Sequence, residues 1–75
     1  MDNITKVMSI AHVITKQTVM AHSTLNSINA ESEDVVEFTM ELEEMFSIAV
    51  TQEEAESFPT LTFREITTFV EKKLG

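Results

Sequence analysis

The sequence predicts an all-α fold: a small antiparallel four-helix bundle of three longer helices and one short one, with a long loop between the first and second. Three observations carry this. One Gly and one Pro in 75 residues leave little material for the tight turns of a sheet. Apolar residues recur at helical three- and four-residue spacing through most of the chain. Cysteine is absent, so no disulfide or thiolate metal site can staple so short a chain, and its stability must come from side-chain packing. Residues 1–75 are expected to form a single domain.

In the first segment Ile4, Val7, Met8, Ala11 and Ile14 fall at helical spacing, and Asp2 or Asn3 can cap it, which predicts a helix over 3–17. Residues 18–30, TVMAHSTLNSINA, are rich in Ser, Thr and Asn and read as a long loop anchored by Val19, Leu25 and Ile28. A second helix is expected from Ser32 to Phe46. Phe38, Leu42, Met45 and Phe46 form its apolar stripe, Val35 and Thr39 its edge, and Val36 and Met40 a separate flank. In TQEEAES, Thr51 and Glu54 have capping-box spacing and predict a short third helix. Pro59 disfavours helix at Phe58. TFREITTFVEKKL then predicts the last helix, with Thr62 and Glu65 as a second capping box. Phe63, Ile66, Phe69 and Val70 form its buried face, and Lys72 and Lys73 complement its C-terminal dipole.

The formal net charge is −8. Residues 31–56 contain Glu31, Glu33, Asp34, Glu37, Glu41, Glu43, Glu44, Glu53, Glu54 and Glu56 and neither Lys nor Arg. Such a field repels nucleic-acid phosphates and anionic lipid and attracts basic protein patches. On charge alone, a solvated, solubilising face is the simpler account of these acids. No apolar run approaches the roughly 20 residues that span a membrane, and the first residues lack the pattern of a secretory signal. A soluble, cytoplasmic, monomeric protein without membrane insertion is therefore expected. His12 and His22 have no metal-ligand spacing, the acids lack an EF-hand loop, and no nucleophile–base pair or phosphate loop is visible. Neither a metal site nor an enzyme is expected.

Within NAESEDVVEFTMELEEMF, Ser32 stands among carboxylates at the predicted start of the second helix. Capping explains this plainly: a serine oxygen accepts from an N–H two or three residues on, and Glu33 and Asp34 complement the helix dipole. The alternative is attachment of a cofactor to an accessible hydroxyl.

Ala30-Glu31-Ser32-x-Asp34-x-Val36-Glu37-Phe38-x-Met40-x-Leu42-Glu43-Glu44-x-Phe46 resembles the acyl carrier protein motif, in which an Asp-Ser-Leu triplet opens the second helix and an apolar-and-acidic pattern ends in Leu-Glu-Glu-x-Phe. TQEEAESF resembles that family's short third helix and TFREITTFVEKKL its closing helix. The resemblance implies that Ser32 carries 4'-phosphopantetheine through a phosphodiester. A phosphopantetheinyl transferase would attach it from coenzyme A with Mg²⁺, the serine oxygen attacking the β-phosphate. It implies that Glu31, Asp34, Glu37, Glu43 and Glu44, with apolar Val36 and Met40, dock basic patches on that transferase and on acyl-transferring and chain-elongating enzymes of fatty-acid, lipid or polyketide synthesis; Glu33, exposed among them, is expected to share that partner-binding surface although it departs from the family pattern. The five Met residues suit an adaptable interior for the cargo, though ordinary core packing explains most of them.

The chain departs from the pattern at four positions. Glu33 replaces the usual Leu after the serine, Glu31 the Asp before it, and Asn29 a common Gly, while Thr24 lies near a usual large apolar anchor. An ionised Glu33 is costly to bury unpaired and is expected at the surface. Two further readings compete: an aminoacyl or peptidyl carrier, and an acidic helical interaction module that is never modified.

Overall fold

The computed structural model describes residues 1–75 and contains four α-helices and no strands. They are α1 (Asn3–Thr15), α2 (Ser32–Phe46), α3 (Gln52–Ser57) and α4 (Phe63–Leu74), with single 3-10 turns at Asn26–Ile28 and Phe58–Thr60. The Cα radius of gyration is 10.8 Å, close to the ~11 Å of a well-packed chain of this length.

Each start has a chemical cause. Asp2 is extended and accepts from the Thr5 N–H at 3.0 Å, which opens α1. Thr51 and Glu54 bond reciprocally at 3.1 and 2.9 Å to open α3. Thr62 and Glu65 repeat the exchange at 3.1 and 2.9 Å for α4. Two ends close without glycine: Lys16 closes α1 at φ 58° and Ser47 closes α2 at φ 54°, both left-handed, while Gly75 caps α4. The Lys16 N–H makes the last helical bond, to His12 O at 2.7 Å, and its left-handed backbone then turns the chain away, so α1 stops at Thr15 and not at residue 17.

The core gathers Val7, Ile10 and Ala11 of α1, Leu25 and Ile28 of the loop, Phe38, Leu42 and Phe46 of α2, Phe58, and Phe63, Ile66 and Val70 of α4. Phe38 meets Phe58 and Phe63 edge-on, with ring centroids 6.1 Å apart in both pairs. Two expectations are corrected. Met45 is 48% exposed, because it turns toward α1 and leaves the stripe to Phe38, Leu42 and Phe46. Phe58 is helical (φ −55°, ψ −40°) and fully buried. Pro59 fits the start of a 3-10 turn, where its missing N–H is not needed, and the chain bends without leaving helical space.

The 16–31 connection is bound down along its length. Thr24 and Ser27 exchange side chain–backbone bonds, and Gln17 Nε2 donates to Ile28 O at 2.6 Å. Phe63 N–H bonds Ser23 O and Arg64 N–H bonds Ala21 O, each at 3.0 Å. The loop thereby accepts from the two N–H groups of α4 that neither the helix nor its cap uses. Leu25 is buried, and Val19 only half so.

Candidate functional site

Three positions of α2, each four residues from the next, set one stripe of its surface: Ser32, Val36 and Met40. The stripe faces the start of α3. Together they wall a cleft of about 690 Å³, closed on the far side by Val50, Ala55 and Pro59. The loop before α2 contributes Asn26 and Ala30. The separate flank assigned to Val36 and Met40 is therefore a cleft wall, and both residues are 60% exposed.

Ser32 is exposed and occupies the first helical position, not the cap. That corrects the capping account. Glu31, extended at φ −86° and ψ 167°, is the N-cap, and its N–H bonds Asp34 Oδ2 at 3.0 Å. The Ser32 hydroxyl makes no hydrogen bond within the chain, and the Ser32 and Glu33 N–H groups have no backbone acceptor. The approach to this turn is fixed by Asn29, left-handed at φ 58° and ψ 37°, a conformation that Asn tolerates better than most residues.

The acidic residues named from sequence divide by position. Glu33 and Glu44 are exposed. Asp34 is committed to the Glu31 N–H. Glu43 Oε2 accepts from the Val50 N–H at 2.9 Å and braces the α2–α3 connection. Glu37 is exposed and lies on the opposite flank, beside α1. Glu56 of α3, not singled out from sequence, lines the Ser32 cleft; its position in a helix only six residues long gave no periodic signal.

One carboxylate near the cleft is tuned. Glu54 is held below the usual glutamate range, first by the Thr51 backbone N–H and then by Lys73, whose Nζ lies 3.0 Å away. No group of three or more His, Asp and Glu side chains is arranged to hold a metal ion, and no helix is long and apolar enough to cross a membrane.

No family model matches the chain. A protein named acyl carrier protein from Helicobacter hepaticus is 43% identical over 47 residues, which is 63% of this chain and 59% of the relative. The match thus covers less than two thirds of the relative's length.

Proposed function

We propose, on the premise of an acyl carrier protein family relationship that the Helicobacter hepaticus match supports, that this chain carries acyl groups on 4'-phosphopantetheine attached to Ser32. Acyl carrier proteins are carriers and not enzymes, and the relative's name supports the same for this chain. The observation that carries the proposal is the exposed, unbonded Ser32 hydroxyl at the mouth of the α2–α3 cleft.

The surroundings fit the group. An accessible oxygen on the first turn can be reached by a modifying enzyme, whereas one in mid-helix packs against its neighbours. The Ser32 and Glu33 N–H groups and the positive helix end favour a phosphodiester, which offsets the flanking Glu31 and Glu33 carboxylates. Val35, Val36, Met40, Val50 and Ala55 give the cleft apolar walls. When attached, the group supplies a thiol on a flexible arm, which this cysteine-free chain lacks, and so holds acyl groups as thioesters. A long arm raises the effective concentration of cargo at successive partner sites.

The chain's own residues bind and orient. Val36 and Met40 offer apolar contact beside Ser32, and Glu31, Glu33 and Glu44 steer basic patches of the transferase and of acyl-transferring and chain-elongating enzymes. No base on this chain bonds the Ser32 oxygen, so the transferase must supply one along with Mg²⁺. A charge of −8 opposes self-association, which supports a soluble monomer. In this reading residues 1–75 form one carrier domain that acts in the cytoplasm, in fatty-acid, lipid or polyketide synthesis.

Intact-mass spectrometry after incubation with coenzyme A, Mg²⁺ and a broad-specificity phosphopantetheinyl transferase tests this. Wild type should gain the mass of one phosphopantetheine, and Ser32→Ala should gain none. The Glu33→Leu variant separates a failed pairing with that transferase from a chain that cannot be modified. Labelling of neither wild type nor Glu33→Leu, or labelling that survives Ser32→Ala, would overturn the proposal.

A further inference from the structure

The turn that leads into Ser32 is anchored from the end of α1. Gln17 Nε2 donates to Ile28 O at 2.6 Å, four residues ahead of the serine. Gln17 is itself fixed at both ends of its backbone. Its carbonyl accepts from His12 Nδ1–H at 2.8 Å, and its N–H reaches Thr15 Oγ1 at 3.4 Å. The Thr15 hydroxyl in turn donates to Ala11 O at 2.8 Å. The other bonds of the turn are local: Asn29 N–H to Asn26 O at 3.1 Å and Ala30 N–H to Leu25 O at 3.0 Å. They shape the turn without tying it to a helix. Ile28 O has no hydrogen-bond partner in the chain besides Gln17.

We propose that Gln17 is a positioning residue for the modification of Ser32, its carboxamide setting the turn from which the hydroxyl is presented; the proposal rests on the carrier reading above. The path from Gln17 to the serine is short and continuous. Gln17 holds Ile28, Asn29 then turns left-handed at φ 58°, Glu31 extends to cap α2, and Ser32 follows as the first helical residue. A shift at Ile28 is therefore carried to the serine oxygen. Gln17 lines no part of the Ser32 cleft and stands outside α2, whose surface meets the transferase in that reading. Loss of its donor should thus misplace the oxygen within the docked complex and leave docking itself intact. A misplacement of about 1 Å caused from a distance can cost up to roughly a hundredfold in rate.

Initial rates of phosphopantetheine transfer, at saturating coenzyme A and varied concentration of the full chain, separate kcat from KM. Gln17→Met keeps the side-chain length and removes the donor. Its kcat should fall at least about fivefold, with KM within about twofold of wild type. Gln17→Lys restores an N–H donor and should return kcat to within about twofold of wild type. Ser27→Ala removes the loop's exchange with Thr24 and leaves the bond to Ile28 O in place; its kcat should also stay within about twofold. Amide exchange on the unmodified chain reads the turn directly. The Asn29 and Ala30 amides should exchange at least about fivefold faster in Gln17→Met, while that of Leu42, in α2, keeps its wild-type rate. Because Gln17 is exposed, circular dichroism should not change. An unchanged kcat in Gln17→Met, a loss confined to KM, no recovery in Gln17→Lys, an equal loss in Ser27→Ala, or unchanged Ala30 exchange would overturn the proposal. A wild-type chain that takes no label overturns the carrier reading instead, and the exchange rates then decide alone whether Gln17 holds the turn.

Discussion

The rings of Phe38 and Phe58 meet edge to face, 6.1 Å between centroids and 89° between planes. This contact ties the middle of α2 to the 3-10 turn that follows α3, and both rings are fully buried. Phe58→Ala should cost about 3–5 kcal/mol through lost burial and an unfilled cavity. A domain of this size has only about 5–10 kcal/mol in total, so the variant should lose about a third or more of its stability in urea unfolding. A midpoint near that of wild type would show the turn to be dispensable.

Ser47 holds a left-handed backbone at the end of α2, where a side chain costs roughly 1–2 kcal/mol. Glycine removes that strain but adds freedom to the unfolded chain, worth about 0.4–1 kcal/mol in the opposite sense. Ser47→Gly should therefore gain up to about 1 kcal/mol, read as a higher Tm in a thermal scan. A lower Tm would refute this reading of the helix end.

Glu54 ionises more readily in the folded chain than in the unfolded one, because it accepts from the Thr51 N–H and pairs with Lys73. Its contribution is present above the unfolded glutamate pKa and is lost as pH falls through the lower, folded value. Melting curves on the acid side of that range should fall less steeply for Glu54→Gln than for wild type. Parallel curves would remove Glu54 as a source of acid sensitivity.

Glu33, Glu37 and Glu41 repeat at four-residue spacing and are all exposed. Each like-charged pair costs about 0.2–0.5 kcal/mol at low ionic strength, and salt screens it. The Tm should rise by a few degrees between low and moderate salt and should respond less in Glu37→Gln. A salt-independent Tm in wild type would contradict this.

Met40 shares the wall of the α2–α3 cleft with Ser32, eight residues along the same stripe of α2, and is 60% exposed. Met40→Asp should leave the fold intact and lower the transferase kcat/KM about tenfold by removing an apolar docking contact. Unchanged kinetics would move docking off this wall.

Periodicity and caps made most of this architecture legible in the sequence. Thr51–Glu54 and Thr62–Glu65 located the starts of α3 and α4 because a capping box is a local, reciprocal bond that needs no tertiary partner. The span of α2 was legible as well. Its cap was not, since Ser, the better intrinsic capper, yielded the position to Glu31 and became the first helical residue. Phe58 was missed because a residue before proline is disfavoured in helical space, and burial against Phe38 outweighs that preference. Thr67, buried at 6% exposure, was hidden by its polarity, which the structure satisfies through a bond to Phe63 O at 2.8 Å. At the candidate site, helical spacing set Val36 and Met40 on a flank of their own and the family resemblance implied their exposure, but the separation of Glu37 from the Ser32 flank depends on where α1 packs.

The carbonyls of Ala21 and Ser23 that receive the first N–H groups of α4 give the molecule a shared seam. If the last helix unwinds at its start, the connection leading to Ser32 loses its acceptor roles at the same instant, so both should open to solvent as one cooperative block. In amide exchange the early residues of α4 and those of the 20s should then report one common opening free energy, and a mutation that frays the far helix would loosen the path to the serine without touching α2.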